Sequence, residues 1–173
     1  MDPKRVVVGY ASGAELIQAS VEPFEINFSG LTGKTVIPSV NVITVGASSV
    51  LDNYRPDGLP WSMQPGWHAA RNPTYPQTLT VDFIKSRSFS KVRFEAQDRL
   101  AKRMPKEVRM EISDDGTDWT PIASENDLCA VSDPDGWRTV KTPKGIQARF
   151  LRIEIMSNCG DPDLLTLKGL SVE

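Results

Sequence analysis

The sequence lacks the long apolar run, the basic excess and the glycine-rich motifs that mark several large classes of protein. Its 173 residues contain no stretch near the roughly 20 apolar residues of a membrane-spanning helix. Lysine and arginine total 20 against 22 aspartate and glutamate residues, so a basic nucleic-acid-binding face is not expected. These absences predict a globular domain that neither spans a membrane nor binds nucleic acid.

The groups that carry catalysis are also scarce. His68 is the only histidine, and neither a Gly-x-Ser-x-Gly motif nor a glycine-rich phosphate-binding loop occurs. A lone histidine with no cysteine or carboxylate at ligand spacing does not make a metal site. Carboxylates are plentiful, but no pair stands out as the acid and base of a glycosidase. The sequence therefore predicts a protein that is not an enzyme.

Cysteine is scarce, and the first residues do not predict an export signal, as would also hold for a mature or excised form. Cys129 and Cys159 are too few for a disulfide scaffold; the sequence favours two free thiols and leaves a pairing of their loops open. Beyond the charged residues 1–5, the apolar run 6–8 is too short for a secretory signal. These features point to the cytoplasm or a larger assembly, and they leave the compartment undecided.

What the sequence does contain is a repeated alternation of apolar and polar residues, which is typical of half-buried strands. In the last run the alternation is broken at Gly169, where one extra residue separates the apolar positions, and this suggests a β-bulge. The alternating runs are 24–28, 79–83, 92–96, 108–112, 151–155 and 165–172.

Turn signals separate these runs, and 13 prolines with 12 glycines favour many short strands. Only residues 11–20 and 97–103 have a sequence compatible with a helical turn or two. The pattern predicts an all-β fold, an antiparallel jelly-roll sandwich with few or no helices. Residues 1–45 are poor in charge, and we expect them to form an N-terminal extension that packs on the body or adds strands to it. Residues 46–173 would form the jelly-roll domain.

Several local patterns from about residue 45 onward occur together in the order found in one known family. They are Gly46-Ala47-Ser48-Ser49, Gly66-Trp67-His68, Tyr75 to Phe83, Pro105 to Trp119, Ala148 to Ile153 and the closing Leu164 to Glu173. In these patterns the sequence resembles the discoidin family, also called the coagulation factor five/eight (F5/8) type C family. Its bacterial relatives are the family 32 carbohydrate-binding modules. The resemblance implies a galactose-binding-like jelly roll that binds its ligand through loops at one end.

The resemblance also assigns structural roles. Trp67 matches the family's core tryptophan, and Trp119 is expected to pack back on the sheet in the core. Gly116 is expected to supply the positive φ of a hairpin turn. Arg149 and Arg152 match arginines that bond to loop carbonyls or carboxylates rather than to ligand.

A ligand site is expected in the first long loop region, 51–75, which is unusually rich in aromatic residues. Sugars present flat C–H faces beside hydroxyl edges, so a site for them needs an aromatic surface and planar or charged donors. Trp61 and Tyr54 are the preferred stacking partners, and the turns 97–99 and 158–161 would complete the cleft. For His68, a hydrogen bond that fixes the loop is the alternative to ligand contact. The candidate ligand-binding residues are Tyr54, Arg55, Trp61, His68, Arg71, Asn72, Tyr75 and Asn158.

Many members of the family hold calcium near this rim, but this sequence departs from the usual calcium pattern. Asp52 and Asp57 are the carboxylates to consider for calcium, and no other cofactor is expected. The basic run of Arg99, Lys102, Arg103 and Lys106 is interpreted as a solvated loop.

Two functions remain open. The aromatic loop favours a lectin-like, non-catalytic module that binds a glycan, a role for which the family resemblance implies the cell surface or the extracellular space. The alternative is a structural or scaffolding module that binds protein in a large assembly, such as a cilium, an axoneme or a phage particle, without sugar binding. The missing export signal and the departure from the calcium pattern favour this second function.

Overall fold

The computed structural model describes residues 5–11, 15–20, 42–51, 66–97 and 99–173, with only the backbone for residues 5–11, 15–20 and 42–44. The regular secondary structure of this part of the chain is almost entirely strand, as predicted, with a single 3-10 turn at Ala101–Arg103. None of its helical segments could cross a membrane. The strands are β1 Arg5–Ala11, β2 Glu15–Ser20, β3 Val42–Ala47, β4 Trp67–His68, β5 Gln77–Ser88, β6 Lys91–Glu95, β7 Val108–Ser113, β8 Thr120–Glu125, β9 Trp137–Lys141, β10 Gln147–Ile155, β11 Thr166–Leu167 and β12 Gly169–Val172.

The strands form one large and two small antiparallel sheets. The seven-stranded sheet has the order β1-β2-β3-β5-β10-β7-β8, the three-stranded sheet has the order β12-β6-β9, and β11 pairs with β4. Leu79 and Ile153 of the large sheet share one buried cluster with Phe94 and Leu170 of the small sheet. The core therefore lies between the two sheets, which is the arrangement of a β-sandwich.

The alternation in the sequence explains this core. In β5 and β10 buried and partly exposed residues alternate, because successive side chains of a strand point to opposite faces. Each buried leucine, isoleucine or valine contributes about 1.5–3 kcal/mol by leaving water. The strands predicted at 79–83, 92–96, 108–112 and 151–155 are confirmed by β5, β6, β7 and β10. The predicted strand at 24–28 lies outside the described residues.

Two local predictions are wrong. The helical turn considered for 11–20 does not form in the described residues of that range. Ala11 ends β1, and Glu15–Ser20 is β2, which pairs with β3, so strand pairing overrides the local preference. The skip before Gly169 is not a bulge. Instead β11 pairs with β4 and β12 pairs with β6, so the chain changes partner strand at Lys168, whose N–H donates to Glu95 O at 2.9 Å.

The expectation of two free thiols is also wrong, because Cys129 and Cys159 form a disulfide with a Cα–Cα distance of 5.8 Å. Both segments lie against the stretch 104–106. Leu128 N–H donates to Lys106 O at 2.9 Å, and Cys159 N–H donates to Met104 O at 3.0 Å. A separation of 30 residues in sequence hides this proximity.

The two arginines of β10 form ion pairs within the large sheet. Arg149 donates from Nε to Asp82 Oδ1 at 3.0 Å and from Nη2 to Asp82 Oδ2 at 2.9 Å. Arg152 Nε donates to Glu111 Oε2 at 2.7 Å. The structural role predicted for both arginines is thereby confirmed.

The two tryptophans assigned to the core differ. Trp67 is fully buried, as predicted, and its Nε1 donates to Ser49 O at 2.9 Å. Trp119 is half-buried and packs edge-on against Phe150 with ring centroids 6.4 Å apart, while the Arg152 guanidinium lies 4.3 Å from its ring centre. Phe150 and Arg152 alternate with buried residues of β10, so Trp119 lies on the outer face of the sheet, and its predicted core role is wrong.

Two glycines with left-handed backbone provide a matched test of this packing. Gly66 has φ +77°, and a Cβ there would lie 2.5 Å from Leu167 O, whereas Gly145 has φ +80° with nothing within 4 Å. Gly145→Ala should lower the free energy of unfolding by about 1–2 kcal/mol, the cost of a left-handed residue with a Cβ. Gly66→Ala should lower it by at least about 3 kcal/mol, because the β4–β11 pair must also shift. Urea denaturation measures both values, and equal losses would contradict the close approach.

Candidate ligand-binding rim

Three loops emerge at the end of the sandwich where β5 and β7 begin and β10 ends. Ile155 of β10 pairs with Gln77 of β5 on one side and with Val108 of β7 on the other, which places the adjoining loops together. We call the loops 69–76, 97–106 and 157–164 the rim; within them, residue 98 is not described.

Loop 157–164 lies between the other two loops and is hydrogen-bonded to both. On one side Asn72 N–H donates to Asp163 O at 2.8 Å. On the other side Asp161 N–H donates to Lys102 O at 3.1 Å. Loop 157–164 is therefore a direct neighbour of the segment 69–76 and separates it from loop 97–106. That the turns 97–99 and 158–161 complete a ligand cleft stays a prediction.

An ion pair fixes the centre of the rim. Arg103 Nε donates to Asp161 Oδ2 at 2.9 Å, and Asp161 Oδ1 accepts from the N–H groups of Asp163 at 3.0 Å and Leu164 at 2.9 Å. The Arg103 hydrogen bond is the main cause that lowers the pKa of Asp161, so this carboxylate is charged near neutral pH. Of the basic run interpreted as a solvated loop, Arg99, Lys102 and Lys106 are exposed as expected. Arg103 departs from this interpretation, because it is partly buried and its guanidinium organises the rim.

Asn158 closes loop 157–164 on itself. Its Nδ2 donates to Asp161 O at 2.8 Å and to Leu164 O at 2.9 Å, and its Oδ1 accepts from Gly160 N–H at 2.9 Å. Both amide donors are thus used within the loop. The predicted ligand contact of Asn158 stays a prediction, and the visible role of this side chain is to shape the loop.

His68 lies under the rim rather than on it. The side chain belongs to β4 and is only 5% exposed. Burial is the main cause that lowers the pKa of His68, the charge of Arg103 lowers it further, and a hydrogen bond with the Gln97 side chain opposes both. This environment favours neutral imidazole and agrees with the alternative that His68 fixes the loop.

Gln77 and Ser49 hold the segment before β5, and the sequence analysis missed both. The buried Gln77 side chain accepts from Ser48 Oγ at 2.9 Å and donates from Nε2 to Thr74 O. Ser49 Oγ donates to Gln77 Oε1 and accepts from Ala70 N–H at 3.1 Å. The two serines of the Gly-Ala-Ser-Ser pattern were the available signal for this network.

Three of the predicted ligand residues lie on the rim with exposed side chains, namely Arg71, Asn72 and Tyr75. Tyr75 is 37% exposed and is the one large hydrophobic side chain that is exposed in the described part of the chain. Burial of its remaining surface and the nearby Asp161 carboxylate raise the pKa of Tyr75, so its hydroxyl keeps its proton. An aromatic ring with a neutral hydroxyl, on the same loop as an exposed guanidinium and an exposed amide, offers a stacking face and hydrogen-bond donors.

The other predicted residues, Tyr54, Arg55 and Trp61, lie outside the described residues, as do Asp52 and Asp57, the carboxylates considered for calcium. Among the described residues, no group of three or more His, Cys, Asp or Glu side chains is arranged to hold a metal ion.

The position of His68 gives a pH dependence of stability. Its pKa in the folded protein lies below the ordinary value of 6.5, so the unfolded chain binds more protons as the pH falls through 6.5. The free energy of unfolding should therefore decrease from pH 7 towards about 5.5. His68→Gln should flatten this slope, because the chain has no other histidine. Melting temperatures of both proteins across this interval check the prediction, and an unchanged slope in the variant would contradict it.

Comparison with known proteins places the chain in a family. The model of the F5/8 type C domain matches residues 42–165, which is well over half of the chain. The curated proteins contain no match.

Among solved structures, the chain is similar to CBM32-3 of a family 31 glycoside hydrolase from Clostridium perfringens, with 16% identity, a TM-score of 0.59 and coverage of 72% of this chain and 85% of that one. The family 32 module of NanJ from the same organism, in complex with galactose, has 19% identity, a TM-score of 0.58 and coverage of 75% and 92%. The module CBM32-5 of an enzyme named GH89 from this bacterium, in complex with GalNAc-β-1,3-galactose, has 18% identity, a TM-score of 0.59 and coverage of 75% and 94%. These likenesses establish the sandwich fold, and the family match establishes that this chain belongs to the F5/8 type C domain family.

Proposed function

We propose that this protein is a non-catalytic recognition module that binds a glycan through the rim. The ring of Tyr75 would stack on the C–H face of a sugar, and the exposed side chains of Arg71 and Asn72 would donate to its hydroxyl groups. The single observation that carries this proposal is the exposure of Tyr75 at the rim.

The charges of the rim support binding rather than catalysis. Asp161 is held by Arg103 and by two backbone N–H groups, so it is poorly placed to exchange protons with a substrate. His68 is buried beneath the rim with a lowered pKa, which favours a neutral, inward-facing imidazole. Of the predicted ligand residues, those exposed on the rim are Arg71, Asn72 and Tyr75. They supply hydrogen-bond donors and an aromatic ring, which suit recognition of a sugar.

The order of the rim also supports the proposal. Sugars exchange hydrogen bonds with water for hydrogen bonds with protein, so the net gain per contact is small. A site that is already ordered avoids the entropy cost of ordering side chains on binding. The hydrogen bonds of Gln77 and Ser49 behind Tyr75 supply such order. We expect dissociation constants of roughly 0.1–10 mM for a single sugar.

The related modules suggest which sugars to test first. One was solved with galactose, another with GalNAc-β-1,3-galactose, and a further similar module is described as chitosan-binding. We therefore take galactose, that disaccharide and chitosan oligomers as probes.

Tyr75→Ala should weaken binding of the best of these probes at least about tenfold, because the stacking face is lost. Tyr75→Phe should retain most of the affinity, since the ring remains. Lys144→Ala, an exposed residue before β10 at the opposite end of the sandwich, is the matched control and should bind as the unmodified protein does. Calorimetric titration and NMR shifts of the rim amides measure these effects.

Two results would contradict the proposal. One is the absence of any shift at the rim with all three probes at about 50 mM, a concentration that detects even weak sites. The other is equal affinity of Tyr75→Ala and Lys144→Ala. Either result would favour the alternative of a module that binds protein.

A further inference from the structure

One end of the disulfide lies in the rim itself. Cys159 belongs to loop 157–164 and lies two residues before Asp161, the carboxylate that Arg103 holds. Its partner Cys129 lies in the turn after β8, next to Leu128, which is fully buried. The bond therefore ties the central loop of the rim to a turn that is anchored in the core.

Without the disulfide, the middle of this loop is held by contacts that are individually weak. Cys159 N–H donates to Met104 O at 3.0 Å, Asp161 N–H donates to Lys102 O at 3.1 Å, and the Arg103–Asp161 ion pair is partly exposed. Single hydrogen bonds and exposed ion pairs each contribute little net free energy. None of the residues 157–161 is fully buried, and only Cys159 among them packs against the core cluster, so apolar burial contributes little at this point of the loop.

The body of the sandwich, in contrast, is held by strand pairing and apolar burial as well as by the disulfide. The strand β10 is paired along its length with both β5 and β7, and Leu151, Ile153 and Ile155 are fully buried. Loss of the bond should therefore loosen the rim while the sheets remain folded.

The bond is also accessible to a reductant. Both cysteines are half-buried rather than fully enclosed, so we expect a small thiol to reach the bond. The disulfide is therefore expected to hold loop 157–164 of the rim in place, whereas the sheets are held together by other contacts.

We propose that the Cys129–Cys159 disulfide makes ligand binding redox-dependent: the rim binds when the bond is formed and loses affinity when a dithiol reduces it. This inference rests on the proposed function of the rim. In the reduction, a thiolate of the dithiol attacks one cysteine sulfur and forms a mixed disulfide, and the other cysteine leaves as a thiolate. The second thiol of the reagent then attacks the mixed disulfide and releases the remaining cysteine. The protein gains two electrons and two protons, and the dithiol leaves as its own disulfide.

The test uses the full chain, oxidised and after treatment with dithiothreitol, with two independent measurements. Hydrogen exchange of the amides of Cys159, Asp161, Asp163 and Leu164 should accelerate at least about tenfold after reduction, while the amide of Ile153 in β10 should not change. Titration with galactose, GalNAc-β-1,3-galactose and chitosan oligomers should show affinity about five- to tenfold weaker for the best-binding probe in the reduced protein. Reoxidation should restore both values.

The matched control is Cys129→Ser/Cys159→Ser, which should resemble the reduced protein and should not respond to dithiothreitol. If this variant does not fold, the reduced and reoxidised samples of the natural chain still decide the question. Unchanged exchange at the rim, or unchanged affinity despite faster exchange, would overturn the inference. A loss of affinity on adding dithiothreitol to the double variant would overturn it as well. If none of the three probes binds to the oxidised protein, the proposed function fails instead, and the exchange measurement alone decides whether the disulfide controls the loop.

Discussion

The pairing of β10 with both of its neighbours is the constraint on which the rest of the structure depends. Its register against β5 and β7 places Ile155 beside Gln77 and Val108, so three loops that are distant in sequence begin or end at the same edge. The same strand buries three large apolar side chains and carries two arginine ion pairs on its outer face. Because a shift of one residue would exchange the two faces, burial of the apolar set fixes the register and, with it, the composition of the rim.

The sequence was sufficient to predict features that depend on local patterns. Period-two alternation located β5, β6, β7 and β10, and the glycine expected to have positive φ in the hairpin does so, Gly116 having φ +79°. Features that depend on contacts between distant segments were missed. The disulfide, the change of partner strand at Lys168 and the Arg103–Asp161 pair each join residues whose proximity appears only once the sheets are assembled. The local preferences of a residue for strand or turn contain no information about such pairings.

The candidate site divides in the same way. Residue type identified donors and aromatic rings in the loop region, and Tyr75 and Asn72 are indeed exposed at the rim. Residue type does not determine, however, whether a side chain points towards solvent or into the protein. His68 and Asn158 were therefore predicted as ligand residues by the same reasoning, although their polar atoms turn inward. The direction of a loop side chain is set by what its backbone bonds to. Here, the β4–β11 pairing of His68 with Thr166 places the imidazole beneath the rim.

A shallow recognition surface needs rigidity that its exposed residues obtain only in part from burial. Ala69, Met104 and Leu164 anchor the rim loops by buried side chains, but the outer residues of the rim are polar and exposed, so they lack the apolar contacts that hold β5 and β10 in place. Its order comes instead from directed interactions: the Gln77 and Ser49 network behind Tyr75, the Arg103–Asp161 pair and one covalent bond. Of these, only the disulfide is broken by a change in redox conditions, without any change in sequence. The order of the rim is therefore coupled to the redox state of the disulfide. This coupling follows from the position of Cys159 in loop 157–164, which is hydrogen-bonded to the other two rim loops.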